Sequence, residues 1–149
     1  MKQTNHFLAA LLLLAVSLSA TTPALSQKKL DGIVQHWRHV LLLDDWDVTA
    51  ITVRIDALQE GTAGQSEVIP EYQGLIIHVL DPADYAELAT RNKLRVKTGK
   101  AITRDIEDTV VHELVHLRLR SFRMAKDNEL SAAEELVVTR LTTALLRKR

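Results

Sequence analysis

Apolar and polar positions divide this chain into segments of different period. Phe7 to Leu18 is an almost unbroken apolar run. From 29 to 43, Leu30, Ile33, Val34, Trp37, Val40 and Leu41 recur at helical spacing and predict a first amphipathic helix. The period then falls to two in Trp46-Asp47-Val48-Thr49-Ala50-Ile51-Thr52-Val53-Arg54-Ile55, where β-branched residues dominate, so a strand is expected. Gly61 to Gly64 marks a loop, Gln65 to Ile69 a short second strand, and Pro70 to Gly74 a turn. Leu75-Ile76-Ile77-His78-Val79-Leu80 is the strongest strand, closed by Asp81-Pro82.

Helical pattern returns after a helical turn at Asp84 to Thr90 and a polar connection from Arg91 to Lys100. A helix is expected from about Thr103 or Asp105 to near Arg120, acidic at its start and basic at its end, as the helix dipole favours. Ser121 to Asn128 reads as a turn. A last helix begins near Ser131 and runs through Leu136, Val137, Val138, Leu141 and Leu145 to Arg147-Lys148-Arg149. The sum is a small α+β domain: about three strands packed with an N-terminal, a central and a C-terminal helix. The connections between strands are too short for helical crossovers, so the sheet is expected to be mostly antiparallel.

Composition changes this picture in three places. Lys2, the apolar run and the small residues at Ala24-Leu25-Ser26 have the order of an export signal, so residues 1–26 are set apart from a domain at 27–149. An exported, periplasmic or secreted protein is implied, with no stable membrane span after cleavage. Removing the signal leaves 149 − 26 = 123 residues, one domain's worth, with 19 − 1 = 18 basic against 19 acidic residues. That balance offers no excess of cations for nucleic acid. The chain has no cysteine, so any metal site must use His, Asp or Glu.

Within the central helix stands Val110-Val111-His112-Glu113-Leu114-Val115-His116-Leu117. Residues four apart on a helix share a face, so His112 and His116 can offer two imidazole nitrogens to one ion. Glu113, beside the first histidine, can then act as general base toward a water at that ion. Burying two histidines and a carboxylate among Val and Leu without partners would cost several kcal/mol, roughly, and a metal would satisfy all three. His36 and His39 also lie one turn apart, but no third ligand is near them in sequence, and they read as surface or boundary residues.

A zinc site of this kind needs a third protein ligand. No histidine follows His116, which leaves Glu134 and Glu135, placed to return on the last helix. Phase favours Glu134, which shares a face with Val137, Val138, Leu141 and Leu145. Against it, Ser131-Ala132-Ala133-Glu134 matches a capping box, which would occupy Glu134 and favour Glu135.

His112-Glu113-Leu114-Val115-His116 followed by a helix carrying Glu134 resembles the gluzincin metallopeptidases, particularly small single-domain ones. The resemblance implies a zincin-like fold, Zn2+ held by His112, His116 and Glu134, and hydrolysis of a peptide or protein substrate with Glu113 as general base. Many gluzincins carry Asp or Asn four residues after the ligand glutamate, where this chain has Val138, so support for the first histidine is missing or comes from elsewhere. The substrate is expected to add to a sheet edge, with Leu75 to Leu80 as the candidate edge. Tyr72, Tyr85 and His78 are candidate oxyanion donors. The competing reading is an exported, non-catalytic, zinc-stabilised binding or inhibitory module, against which Glu113 counts, since a structural site needs no base.

Overall fold

The first helix starts where the sequence offers a cap. Ser26 Oγ accepts the N–H of Lys29 at 3.3 Å, and α1 runs Gln27–Val40 with Leu30, Val34 and Trp37 buried on one stripe. The computed structural model describes residues 25–120 and 131–147. The export signal therefore lies almost wholly outside the described residues, as does the expected turn at 121–128.

Three strands follow: β1 (Asp47–Val53), β2 (Gly64–Ile69) and β3 (Gly74–Leu80). Their order is β1-β3-β2, with β2 antiparallel and β1 parallel to β3. The α+β class stands, but the sheet is mixed rather than mostly antiparallel. The parallel neighbours are not consecutive: β1 rises, β2 descends on the far side, and β3 rises between them. The outgoing strand β2 makes the return trip for which a parallel pair usually needs a helix.

This order also corrects the candidate substrate edge. Leu75 to Leu80 is the central strand, paired on both sides, which is why its burial is nearly continuous; among the described residues the open edges belong to β1 and β2.

After β3, Asp81 caps a turn of 3-10 helix at Pro82–Asp84 that leads into α2 (Tyr85–Arg91). Asp84 is buried yet satisfied: it accepts the N–H of Ile55 at 3.0 Å and pairs with Arg54 at 2.8 Å. The long helix α3 spans Lys100–Arg120, starting three residues before Thr103, and α4 spans Ser131–Arg147. One face of the sheet, carrying Leu75, Ile77 and Val79, packs with α1 and α3 around Ile106, Val110 and Leu114. Trp37 Nε1 donates to Glu107 Oε1 at 2.8 Å and ties α1 to α3. Among the described residues no helix is long and apolar enough to cross a membrane.

Candidate metal centre

The core-facing side of α3 fixes the rotation of the helix. Val110, Val111, Leu114 and Val115 are all buried, which turns His112, Glu113 and His116 to the side where α3 emerges from the core. The two imidazoles meet there, with Nε2 to Nε2 at 3.1 Å. From α4, Glu135 Oε1 comes to 2.8 Å from His116 Nε2, and Glu135 Oε2 to 3.4 Å from His112 Nε2. One ligand atom from each of the three residues lies within 4.8 Å of the others. Two ligands at zinc distances in a tetrahedral set sit about 3.3 Å apart, close to the spacing of the two ring nitrogens. Two imidazoles and one carboxylate placed in this way could hold a metal ion.

Glu134, expected as the third ligand, has another place. Its Oε1 lies 3.2 Å from His116 Nδ1, on the far side of the ring from the cluster. There it accepts the Nδ1 proton and leaves Nε2 as the electron-pair donor. The phase argument correctly finds the inward residue, because Glu134 lines up with the buried Val138 and Thr142. The carboxylate that reaches the two Nε2 atoms is nevertheless that of the half-exposed Glu135. Val137 and Leu141, expected on the packed face, are instead 45% and 42% exposed. Val138 belongs wholly to the core, and the position four after Glu135 is the exposed Thr139.

Glu113 does not point into the ligand cluster. Its Oε2 accepts a hydrogen bond from Ser66 Oγ on β2 at 2.5 Å. Close approach of β2 to α3 makes this possible: a Cβ at Gly64 would lie 2.2 Å from Thr109 Cγ2 and 2.9 Å from the His78 carbonyl oxygen. Leu80 N–H donates to the Ala63 carbonyl, so the odd-numbered residues of β2 exchange hydrogen bonds with β3. The N–H and C=O of Gly64, Ser66 and Val68 therefore face the open edge. Ser66 presents its side chain to Glu113 and its main chain to anything that pairs with that edge. Sequence reasoning missed Ser66; its signal is weak, a lone serine in a short strand.

The other candidates are not brought together here. His36 and His39 are exposed on α1, and His39 pairs with Asp44 at 3.2 Å. His78 alternates with the buried Ile77 and Val79, so it stands on the opposite face of the sheet from Glu113. Tyr72 is exposed beside Gly74, and Tyr85 is buried near Asp105, two turns before His112. Burial, with Asp105 adding to it, pushes the Tyr85 phenol well above its usual range, so it stays protonated. One turn before His112, desolvation pushes the Asp108 carboxyl up, reinforced by the charge of Asp105.

Comparison with models of protein families, with curated proteins and with solved structures finds no match to this chain.

Proposed function

We propose that this protein is a zinc-dependent metallopeptidase, with His112, His116 and Glu135 as the metal ligands and Glu113 as general base. One observation carries the reading: His112, His116 and Glu135 are grouped so that they could hold a metal ion, and Glu113, next in sequence to His112, is held by Ser66 of the edge strand β2. A purely structural metal site gives no reason for a base poised next to a strand edge.

Zinc, when bound, supplies the Lewis acid that polarises the scissile carbonyl and the attacking water. The remaining work falls to the chain. Ser66 holds Oε2 of Glu113 and leaves Oε1 to take a proton from water and pass it to the leaving amine. Glu134 keeps the proton of His116 on Nδ1. A peptide in extended form pairs with the outward N–H and C=O of Ser66, which sets its carbonyl beside Glu113. The gluzincin resemblance of His112 to His116 supports the same chemistry.

Glu113→Gln is expected to keep one equivalent of zinc and to lose peptide hydrolysis by about 100-fold or more. Metal analysis with an assay on a quenched peptide library checks this, and full activity in the variant would sink the mechanism. The protein also carries the marks of export, so chain recovered from cells should begin near Gln27; N-terminal sequencing that finds Met1 retained refutes cleavage at that point.

A further inference from the structure

The connection that leads into α3 alternates cations with apolar side chains. Lys93-Leu94-Arg95-Val96-Lys97 continues through Thr98-Gly99 to Lys100, and no Asp or Glu occurs between Arg91 and Arg104. Leu94 is 62% exposed and Val96 50%, and the cations on either side of each are exposed as well.

Three adjoining hollows show that these cations share one surface around the start of α3. Leu94, Arg95 and Lys97 line the first, Lys97, Arg104 and Arg147 the second, and Arg104, Lys100 and Lys29 the third. Lys97 joins the first to the second, and Arg104 the second to the third. Six cations thus outnumber the three carboxylates among them, Asp105, Glu107 and Asp108. Asp105 is already paired with Lys97, and Glu107 accepts from Trp37. Arg95, Lys100, Arg104 and Arg147 make no ion pair among the described residues. The positive end of the α3 dipole adds to the same field.

The start of the domain lies on this surface too. Lys29 Nζ donates to Thr103 Oγ1 at 3.5 Å, which sets the first turn of α1 beside the first turn of α3. Only eight residues separate Gln27 from the apolar run Phe7 to Leu18. On the export reading, a bilayer that takes up that run therefore faces the cationic end of the domain.

Cations alone suit any polyanion, and Leu94 and Val96 separate the choices. Nucleic acid rewards aromatic side chains among the cations, and none occurs between Arg91 and Arg104. An anionic lipid leaflet offers phosphates to the cations and an apolar layer to Leu and Val within one surface. We propose that the start of α3 and the connection before it form a peripheral docking surface for an anionic lipid bilayer. Arg95, Lys100, Arg104 and Arg147 meet the lipid phosphates while Leu94 and Val96 enter the interface. This surface shares no residue with the His112, His116 and Glu135 cluster, so the proposal does not rest on the peptidase reading.

The absence of cysteine makes a local test possible. Leu94→Cys provides one attachment point for an environment-sensitive fluorophore, and Tyr72→Cys, at the opposite end of β3, provides a control. Vesicles of phosphatidylcholine alone are compared with vesicles containing about 30% phosphatidylglycerol. The label at 94 should shift to the blue on the anionic vesicles, and the label at 72 should not. In sedimentation at low salt, unlabelled protein should bind the anionic vesicles about tenfold more tightly than the neutral ones, a difference that fades as salt rises. Lys100→Gln with Arg104→Gln should weaken binding to anionic vesicles about tenfold, and Leu94→Ser with Val96→Ser about fivefold. Thermal melts restrict the comparison to folded variants, and the label at 94 needs only one exposed replacement. Equal shifts at 94 and 72, or binding indifferent to lipid charge, overturns the proposal. So does tighter binding of a double-stranded oligonucleotide that the Leu94 and Val96 replacements leave unchanged, which would assign the cations to nucleic acid.

Discussion

Two pairs of histidines lie about one turn apart on helices of this chain, and only one gains a third side chain that could complete a metal site. On α1, His36 packs edge-on against Trp37 with ring centroids 5.1 Å apart, and His39 points into solvent at 79% exposure beside Asp44. On α3, the Nε2 atoms of His112 and His116 converge to 3.1 Å, and α4 delivers Glu135 to both. Spacing along a helix is therefore not what separates them. The α3 pair lies where a second helix crosses, and Glu134 from that helix holds one ring by its back nitrogen. A helix can present two ligands on its own; a third, and a fixed orientation, need another element.

The sharpest way to break the contrast is to remove a ring from each pair. His112→Ala or His116→Ala should reduce zinc affinity by 100-fold or more, roughly, since two protein ligands remain, while His36→Ala and His39→Ala should leave stoichiometry and affinity unchanged. Competition with a chromogenic chelator reads both, and equal losses from the two pairs would erase the distinction.

The next largest effect separates the two carboxylates of α4. Glu135→Ala should abolish stoichiometric zinc at micromolar metal, whereas Glu134→Ala should keep the ion with affinity lowered about 10- to 100-fold, through the loosened His116 ring. The opposite pattern would return the ligand role to Glu134 and make Glu135 a bystander at the rim.

Ser66 comes third. Ser66→Ala frees the Glu113 carboxylate without touching a ligand, so zinc content should stay unchanged while kcat falls by less than in Glu113→Gln, about tenfold. Unchanged turnover would mean that Glu113 needs no positioning from β2.

The smallest effect concerns Asp108, one turn from His112. Burial and the charge of Asp105 hold its folded-state pKa above the usual carboxylate value of 3.8, so ionisation is easier in the unfolded chain. Folding thus gains nothing from this group at neutral pH and loses a little. The loss is absent below the unfolded value and sets in as pH rises through the folded one. Asp108→Asn should therefore raise the thermal midpoint slightly at pH 7 and make no difference near pH 3; a lower midpoint at pH 7 would contradict the sign.

Most element positions were legible in the sequence because they follow local period and punctuation. The strand at Asp47–Val53, the strand at Gly74–Leu80 closed by Asp81-Pro82, and the helix at Lys100–Arg120 each fall within a few residues of where the pattern puts them. Strand direction was not legible, since the rule that short links imply antiparallel neighbours holds only for consecutive strands. Once β3 inserts between β1 and β2, Leu75 to Leu80 becomes the central strand and the edges pass to β1 and β2. Phase favoured Glu134 over Glu135 against the capping-box pattern, and phase tells what is buried, not which carboxylate reaches a neighbour's ring.

By itself, then, the sequence determined the chemistry available: two histidines on one face, a glutamate beside the first, no cysteine to compete, and a pair of acidic residues on a later helix. Those are facts of residue type and helical pitch, which act over one or two turns. Which acid reaches the nitrogens and which serine meets the Glu113 carboxylate were decided by the crossing of α4 over α3 and by the close seat of β2 at Gly64. Such contacts join residues tens of positions apart, and the packing of buried side chains between helices and sheet sets them, not any period within a segment.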